Sequence, residues 1–199
     1  MSKIAKEKID LLVSVDYLFP MDNKVDVIYD AELAVKDGKI FYIGEKRPSH
    51  VWDANEIIRT SSKAMLPGFV NSHCHTASNV FRSQTDDGQG GAALYSIGFR
   101  GEGIISPDDW KILAYLGTIE MILAGYTTLN DFWYCPEVMA EISLITGMRM
   151  QLASEILDVD KSKIMDGDWS RVPKIGKDTL KFGVDFVKNY NNSNNGLIT

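Results

Sequence analysis

Met65-Leu-Pro-Gly-Phe-Val-Asn-Ser-His-Cys-His75 is the stretch on which the fold turns. Its apolar half carries Pro67-Gly68 near the start and reads as a buried strand entering a new layer. Its polar end sets two histidines two residues apart. Side chains at i and i+2 of a strand leave the same face, so His73 and His75 aim at one point while Cys74 turns away into packing. Two imidazoles so directed can share one metal ion. By itself a His-x-His pair is weak, because zinc takes three or four protein ligands.

Before this stretch the chain reads as short strands: Leu11–Val15, Val25–Tyr29, Ala31–Val35 and Lys39–Ile43, with Asp37-Gly38 as the strongest hairpin signal. After it the pattern changes. A polar, glycine-rich loop from Thr85 to Gly103 leads to Ser106-Pro-Asp-Asp109, a capping residue followed by proline and an acid three residues on, where a helix starts. Ile112, Leu116, Ile119 and Leu123 give it one apolar stripe, and Gly125 stops it. A strand (Tyr126–Phe132), a short helix (Pro136–Thr146), a strand (Met148–Ile156), a polar stretch to Lys177, a helix (Thr179–Tyr190) and the opening of another strand (Leu197–Thr199) follow. Strands alternating with helices predict parallel pairing with right-handed crossovers. The expected boundary divides residues 1–63, all β, from residues 64–199, α/β.

Composition bounds the function. The 199 residues are 45% hydrophobic and 24% charged, with 21 basic against 27 acidic side chains and a net charge of −6. That balance offers no basic surface for nucleic acid or anionic lipid. No apolar run approaches the ~20 residues of a membrane span, and the N-terminus lacks the apolar core of a signal peptide. Cys74 and Cys135 form no CxxC pair, so a reducing cytoplasm is the expected location.

The quoted stretch resembles the Pro-Gly-(apolar)₂-Asn-x-His-x-His signature of the amidohydrolase superfamily. Ala34-Val-Lys-Asp-Gly-Lys-Ile-Phe-Tyr-Ile-Gly44 resembles the hairpin of that family's N-terminal sandwich, and Trp52-Asp-Ala54 the strand before its barrel. Ser106–Trp110 through Glu120–Asp131 is similar to the first barrel helix and second strand of the cytosine deaminase and chlorohydrolase-like branch. The resemblance implies an α/β chain: part of a small β-sandwich, then the first three to four βα units of an incomplete TIM (β/α)8 barrel. A closed barrel takes about 250 residues, so the coding sequence is expected to continue past Thr199 with a histidine soon after. An open doubly wound sheet fits the length better on general grounds, but no GxGxxG follows the first strand.

What the resemblance implies about chemistry is specific. Members of the branch hold one divalent metal, zinc or iron, with the His-x-His of strand 1, a histidine from strand 5 and an aspartate from strand 8. Only the first pair maps here, onto His73 and His75, and no histidine follows His75. Catalytic residues are therefore expected outside this chain. Arg82, Gln84 and Trp133 are candidates for contacting a flat heterocycle. Asp131, at the end of strand 2, is expected to be structural, Glu155 to reach the site mouth or solvent, and His50 to be a surface residue. The implied activity is hydrolysis of a non-peptide C–N bond in a cyclic substrate, a deamination of a purine, pyrimidine or related ring. The alternative is an inactive fragment or degenerate relative that associates with a partner chain. Self-association, through the incomplete barrel or as a homo-oligomer, is expected in either case.

Overall fold

Ile9, Leu12, Val15 and Leu18 are the buried apolar residues along Glu7–Leu18, the strand β1 around which the first unit is built. The computed structural model describes residues 6–84, 97–102, 104–133, 135–164 and 166–199. Its internal contacts separate Met1–Pro67 from Gly68–Thr199. In the first unit β2 (Ile28–Lys36) and β3 (Lys39–Glu45) form an antiparallel hairpin, and β4 (Trp52–Arg59) pairs parallel to β1, giving the order β3-β2-β1-β4. The hairpin turns through Asp37 and Gly38, both with positive φ (52° and 69°), the conformation that an Asp-Gly turn supplies most readily. The two strands expected at Val25–Tyr29 and Ala31–Val35 are one strand, because a left-handed Asp30 (φ 46°) is absorbed within the β1–β2 ladder.

Ala64–Met65 forms a short β5 on the far end of β1, which carries the division between the units to Pro67, beyond Lys63. Buried Glu32 joins the strands of this unit. It accepts hydrogen bonds from Ser14 Oγ (3.3 Å), the Arg47 N–H (3.0 Å) and Trp52 Nε1 (3.1 Å).

The second unit is a parallel sheet of β6 (Phe69–Cys74), β7 (Tyr126–Trp133) and β8 (Arg149–Ser154) in that order. A parallel bridge joins Ile198 to Met150 at its edge, where Met150 and Leu152 donate to the carbonyls of Leu197 and Thr199 at 2.8 Å. The connections carry helices α1 (Pro107–Leu123), α2 (Pro136–Thr146) and α3 (Pro173–Tyr190). Of the expected loop from Thr85 to Gly103, residues 85–96 and 103 lie outside the described residues, and Phe99–Glu102 forms a helical turn. Leu129, Met150, Met139, Ile142, Phe186 and Ile198 lie in the core.

The start of α1 matches the sequence: Ser106 Oγ accepts from the Asp109 N–H at 3.2 Å and the Asp109 carboxylate accepts in return. Its orientation does not. Ile112 and Leu123 are 65% and 82% exposed, and Leu116 and Ile119 face outward with them, while Ala114, Gly117 and Thr118 are buried. The small residues win the inner face because α1 lies against the turn that follows β6, where only a hydrogen fits: a Cβ on Gly117 would stand 2.1 Å from the Thr76 carbonyl oxygen. β6 also departs from the buried strand expected. Phe69 and Val70 are 51% and 64% exposed, because β6 is the sheet's edge. α3 begins at Pro173, six residues ahead of the expected Thr179. Proline serves at a first helical position, and Gly176 lets the helix lie close to Asp158, from whose side chain a Cβ at that position would stand only 2.9 Å.

No described helix is long and apolar enough to cross a membrane. Gly117→Ala should destabilise the protein by about 1–3 kcal/mol in urea titration through overpacking. An open position inside a helix would instead gain about 1 kcal/mol from the same change.

Candidate metal and substrate site

β6 is drawn tightly onto β7 where it begins. The Phe69 N–H donates to the Gly125 carbonyl at 2.9 Å, and Gly68 leaves no room for a side chain beside Thr127. Five residues on, at the C-terminal end of the parallel sheet, the His73 and His75 rings lie with centroids 5.1 Å apart at 81°. Both stand against Phe132, at 5.4 and 4.6 Å. They emerge on one side while Cys74 is buried on the other.

His75 Nδ1 is 3.0 Å from the Phe132 carbonyl oxygen. A carbonyl only accepts, so the contact requires the proton on Nδ1, and in the neutral ring this leaves the lone pair on Nε2, the tautomer a metal ligand needs. His73 is exposed, and its N–H donates to Asn71 Oδ1 at 3.3 Å.

Behind the pair lies a buried carboxylate. Asp131, 3% exposed, accepts the Thr76 N–H at 2.7 Å and lies 3.6 Å from Cys74 Sγ. It thereby fixes the backbone on the C-terminal side of His75. Burial raises the Asp131 acid above the usual carboxylate range. Burial, and then the Asp131 charge, push the Cys74 thiol up to about 12, and Cys135 is raised to about 12 for the same reasons. A thiol so disposed supplies no thiolate to a metal. The residues therefore fit half of a zinc or iron site: two imidazoles on one side. Among the described residues no third His, Cys, Asp or Glu joins them.

The substrate candidates separate. Trp133 stands beside the pair, its ring 5.3 Å from His75, held at an unusual φ of 106° where β7 ends. Arg82 is turned to α1, where it forms a two-pronged ion pair with Glu120 (Nη1 to Oε1 3.2 Å). Gln84 is exposed in a turn, its N–H donating to the Phe81 carbonyl at 3.1 Å. His50 is exposed in a turn of the first unit.

Glu155, which follows β8, is tied to Lys161, and Lys161 also meets Glu102. That ammonium lies 5.1 Å from the Trp133 ring and 5.2 Å from the Phe99 ring. Glu102 and Lys161 were not legible as site residues, since both sit in polar stretches without periodicity.

The amidohydrolase family profile matches residues 64–193, which hold the whole of this arrangement. The chain belongs to the amidohydrolase family. This amidohydrolase is 26% identical over 189 residues to the 5'-deoxyadenosine deaminase of Methanosarcina barkeri, an alignment covering 95% of the chain and 40% of that relative. It is 31% identical over 156 residues to the 5-methylthioadenosine/S-adenosylhomocysteine deaminase of Thermodesulfovibrio yellowstonii, covering 74% of the chain and 34% of the relative. Its fold superposes on a zinc-bound adenosine deaminase from Xanthomonas campestris with a TM-score of 0.79 at 22% identity, over 98% of this chain and 42% of that one. The chain thus spans about 40% of the length of the first of these relatives.

Asp131→Ala, which removes the acceptor for the Thr76 N–H, should cost about 1–3 kcal/mol of stability, with Asp131→Asn closer to wild type in the same denaturation experiment. A thiol reagent at pH 8 should leave Cys74 and Cys135 unmodified in the folded amidohydrolase and label both once it is unfolded.

Proposed function

We propose that this amidohydrolase carries the opening part of the active site of a metal-dependent aminohydrolase that cleaves a non-peptide C–N bond of a purine, pyrimidine or related ring. The convergence of His73 and His75 at the C-terminal end of a parallel strand supports the reading, since α/β barrels assemble their sites at that end. On this reading the first unit is part of a small β-sandwich, and the second is the first three to four βα units of a (β/α)8 barrel. The fold shared with the zinc-bound deaminase supports both assignments.

A bound zinc or iron ion would supply Lewis acidity and lower the pKa of water. His75 would meet it through Nε2, oriented by the Phe132 carbonyl, and His73 would meet it from the adjacent ring. Asp131 holds the strand end on which both depend. Trp133 offers a flat wall beside the ligands, against which an aromatic ring can lie. Arg82, committed to Glu120, would act only after leaving that pair. Two free cysteines fit a reducing cytoplasm.

One observation favours a second reading, a non-catalytic piece that associates through its sheet: apolar Phe69 and Val70 lie exposed on edge strand β6. Metal analysis of the purified protein separates the two. Stoichiometric zinc or iron, with affinity falling by about 10–100-fold or more in His73→Ala and His75→Ala, supports the enzyme. Equal and negligible metal in wild type and both variants supports the other reading.

A further inference from the structure

Two carboxylates converge on Lys161 above the C-terminal ends of β7 and β8, and three of their four oxygens have partners. Lys161 bridges Glu102 Oε2 and Glu155 Oε2, and Trp133 Nε1 donates to Glu102 Oε1 at 3.1 Å. The fourth oxygen, Glu155 Oε1, is buried and meets no donor among the described residues. Folded proteins pair nearly all such oxygens, so one left open marks a position where something else donates.

The surroundings narrow what that donor is. Phe99 and Trp133 lie with ring centroids 5.9 Å apart, and the Lys161 ammonium sits against both. Trp133 in turn touches His75. The cluster is therefore continuous with the histidine pair, at the distance of one aromatic ring. The open position is lined by a carboxylate whose other oxygen is held by Lys161, and an acceptor of that kind favours N–H and O–H donors and opposes anions.

We propose that Glu155 is a specificity-determining residue: its free oxygen accepts an N–H or O–H from the non-reacting part of a substrate lying against Trp133, and this carboxylate acceptor selects neutral or cationic donor-bearing heterocycles over anionic ones. Lys161 holds the carboxylate in position by occupying its other oxygen. The inference rests on the reading of the histidine pair as a hydrolase site, to which it adds a substrate class and a residue.

The test compares the product of the complete coding sequence as wild type, Glu155→Gln and Glu155→Leu, each loaded with zinc and checked for folding by thermal melting. Release of ammonia is followed from 5'-deoxyadenosine, adenosine and adenosine 5'-monophosphate, and binding of the same three is measured by calorimetry. Glu155→Leu should raise KM and Kd for the two neutral nucleosides by at least about tenfold, because a donor loses its buried acceptor. The turnover number should stay within about threefold, the signature of lost ground-state binding. Glu155→Gln keeps one acceptor oxygen without the charge, so it should weaken neutral binding less and narrow the preference over the monophosphate. If Glu155→Leu does not fold, the Gln variant carries the test through that preference.

Unchanged KM, Kd and preference in folded variants overturn the inference while leaving the hydrolase reading intact. Binding that depends on Glu155 without any ammonia release supports the inference and sinks the deaminase reading. A zinc-loaded wild type that neither binds nor turns over any of the three defeats both.

Discussion

Asp131 is the interaction on which the second unit's working end depends. A carboxylate buried to this degree is costly unless its oxygens are used, and this one accepts the Thr76 N–H at 2.7 Å beside the Cys74 thiol. The bond ties the end of β6 to the end of β7 at the point where the chain leaves the sheet. His75 lies one residue before it, and its own Nδ1 faces the carbonyl of Phe132, one residue after Asp131. Two bonds, each donated from the end of β6 to an acceptor on β7, thus lock the strand ends together, and the imidazole orientation follows from them.

The same end is crowded from outside the sheet. α1 comes so close that Gly117 lies against the Thr76 carbonyl, and the turn after His75 is confined between a helix and a buried carboxylate. Rigid support of this kind gives a metal ligand a fixed direction before any metal arrives. Around the rings the chemistry changes quickly: aromatic at Phe132 and Trp133, then charged at Lys161, Glu102 and Glu155. Burial raises the Glu155 acid above the usual carboxylate range while Lys161 opposes the rise. An apolar wall ending in a few convergent polar groups is the usual make-up of a small-molecule site.

Much of this was legible in advance where local rules dominate. The Ser106 capping box, the Asp37-Gly38 turn and the alternation of strands and helices after Gly68 depend on neighbours in sequence, and they stand where the sequence put them. Period two along β6 likewise sends His73 and His75 to one side and Cys74 to the other. Misplacements arose where packing chose between acceptable options. The row Ile112, Leu116, Ile119 and Leu123 is the most apolar face of α1, yet close approach to the Thr76 turn demanded the small face inward. Arg82 reads as a loop arginine near the site, and the partner it takes there, Glu120 on α1, lies 38 residues along the chain, where no local pattern points to it.

The sequence by itself determined the parallel α/β order of the second unit, the β hairpin of the first and the direction of the two imidazoles, because turns, caps and strand periodicity act over a few residues. Tertiary structure alone decided which face of α1 is buried, that β6 is an edge, and that Glu102, Glu155 and Lys161 meet beside Trp133. Those outcomes depend on groups tens of residues apart competing for the same space and the same hydrogen bonds, and no local pattern records who wins.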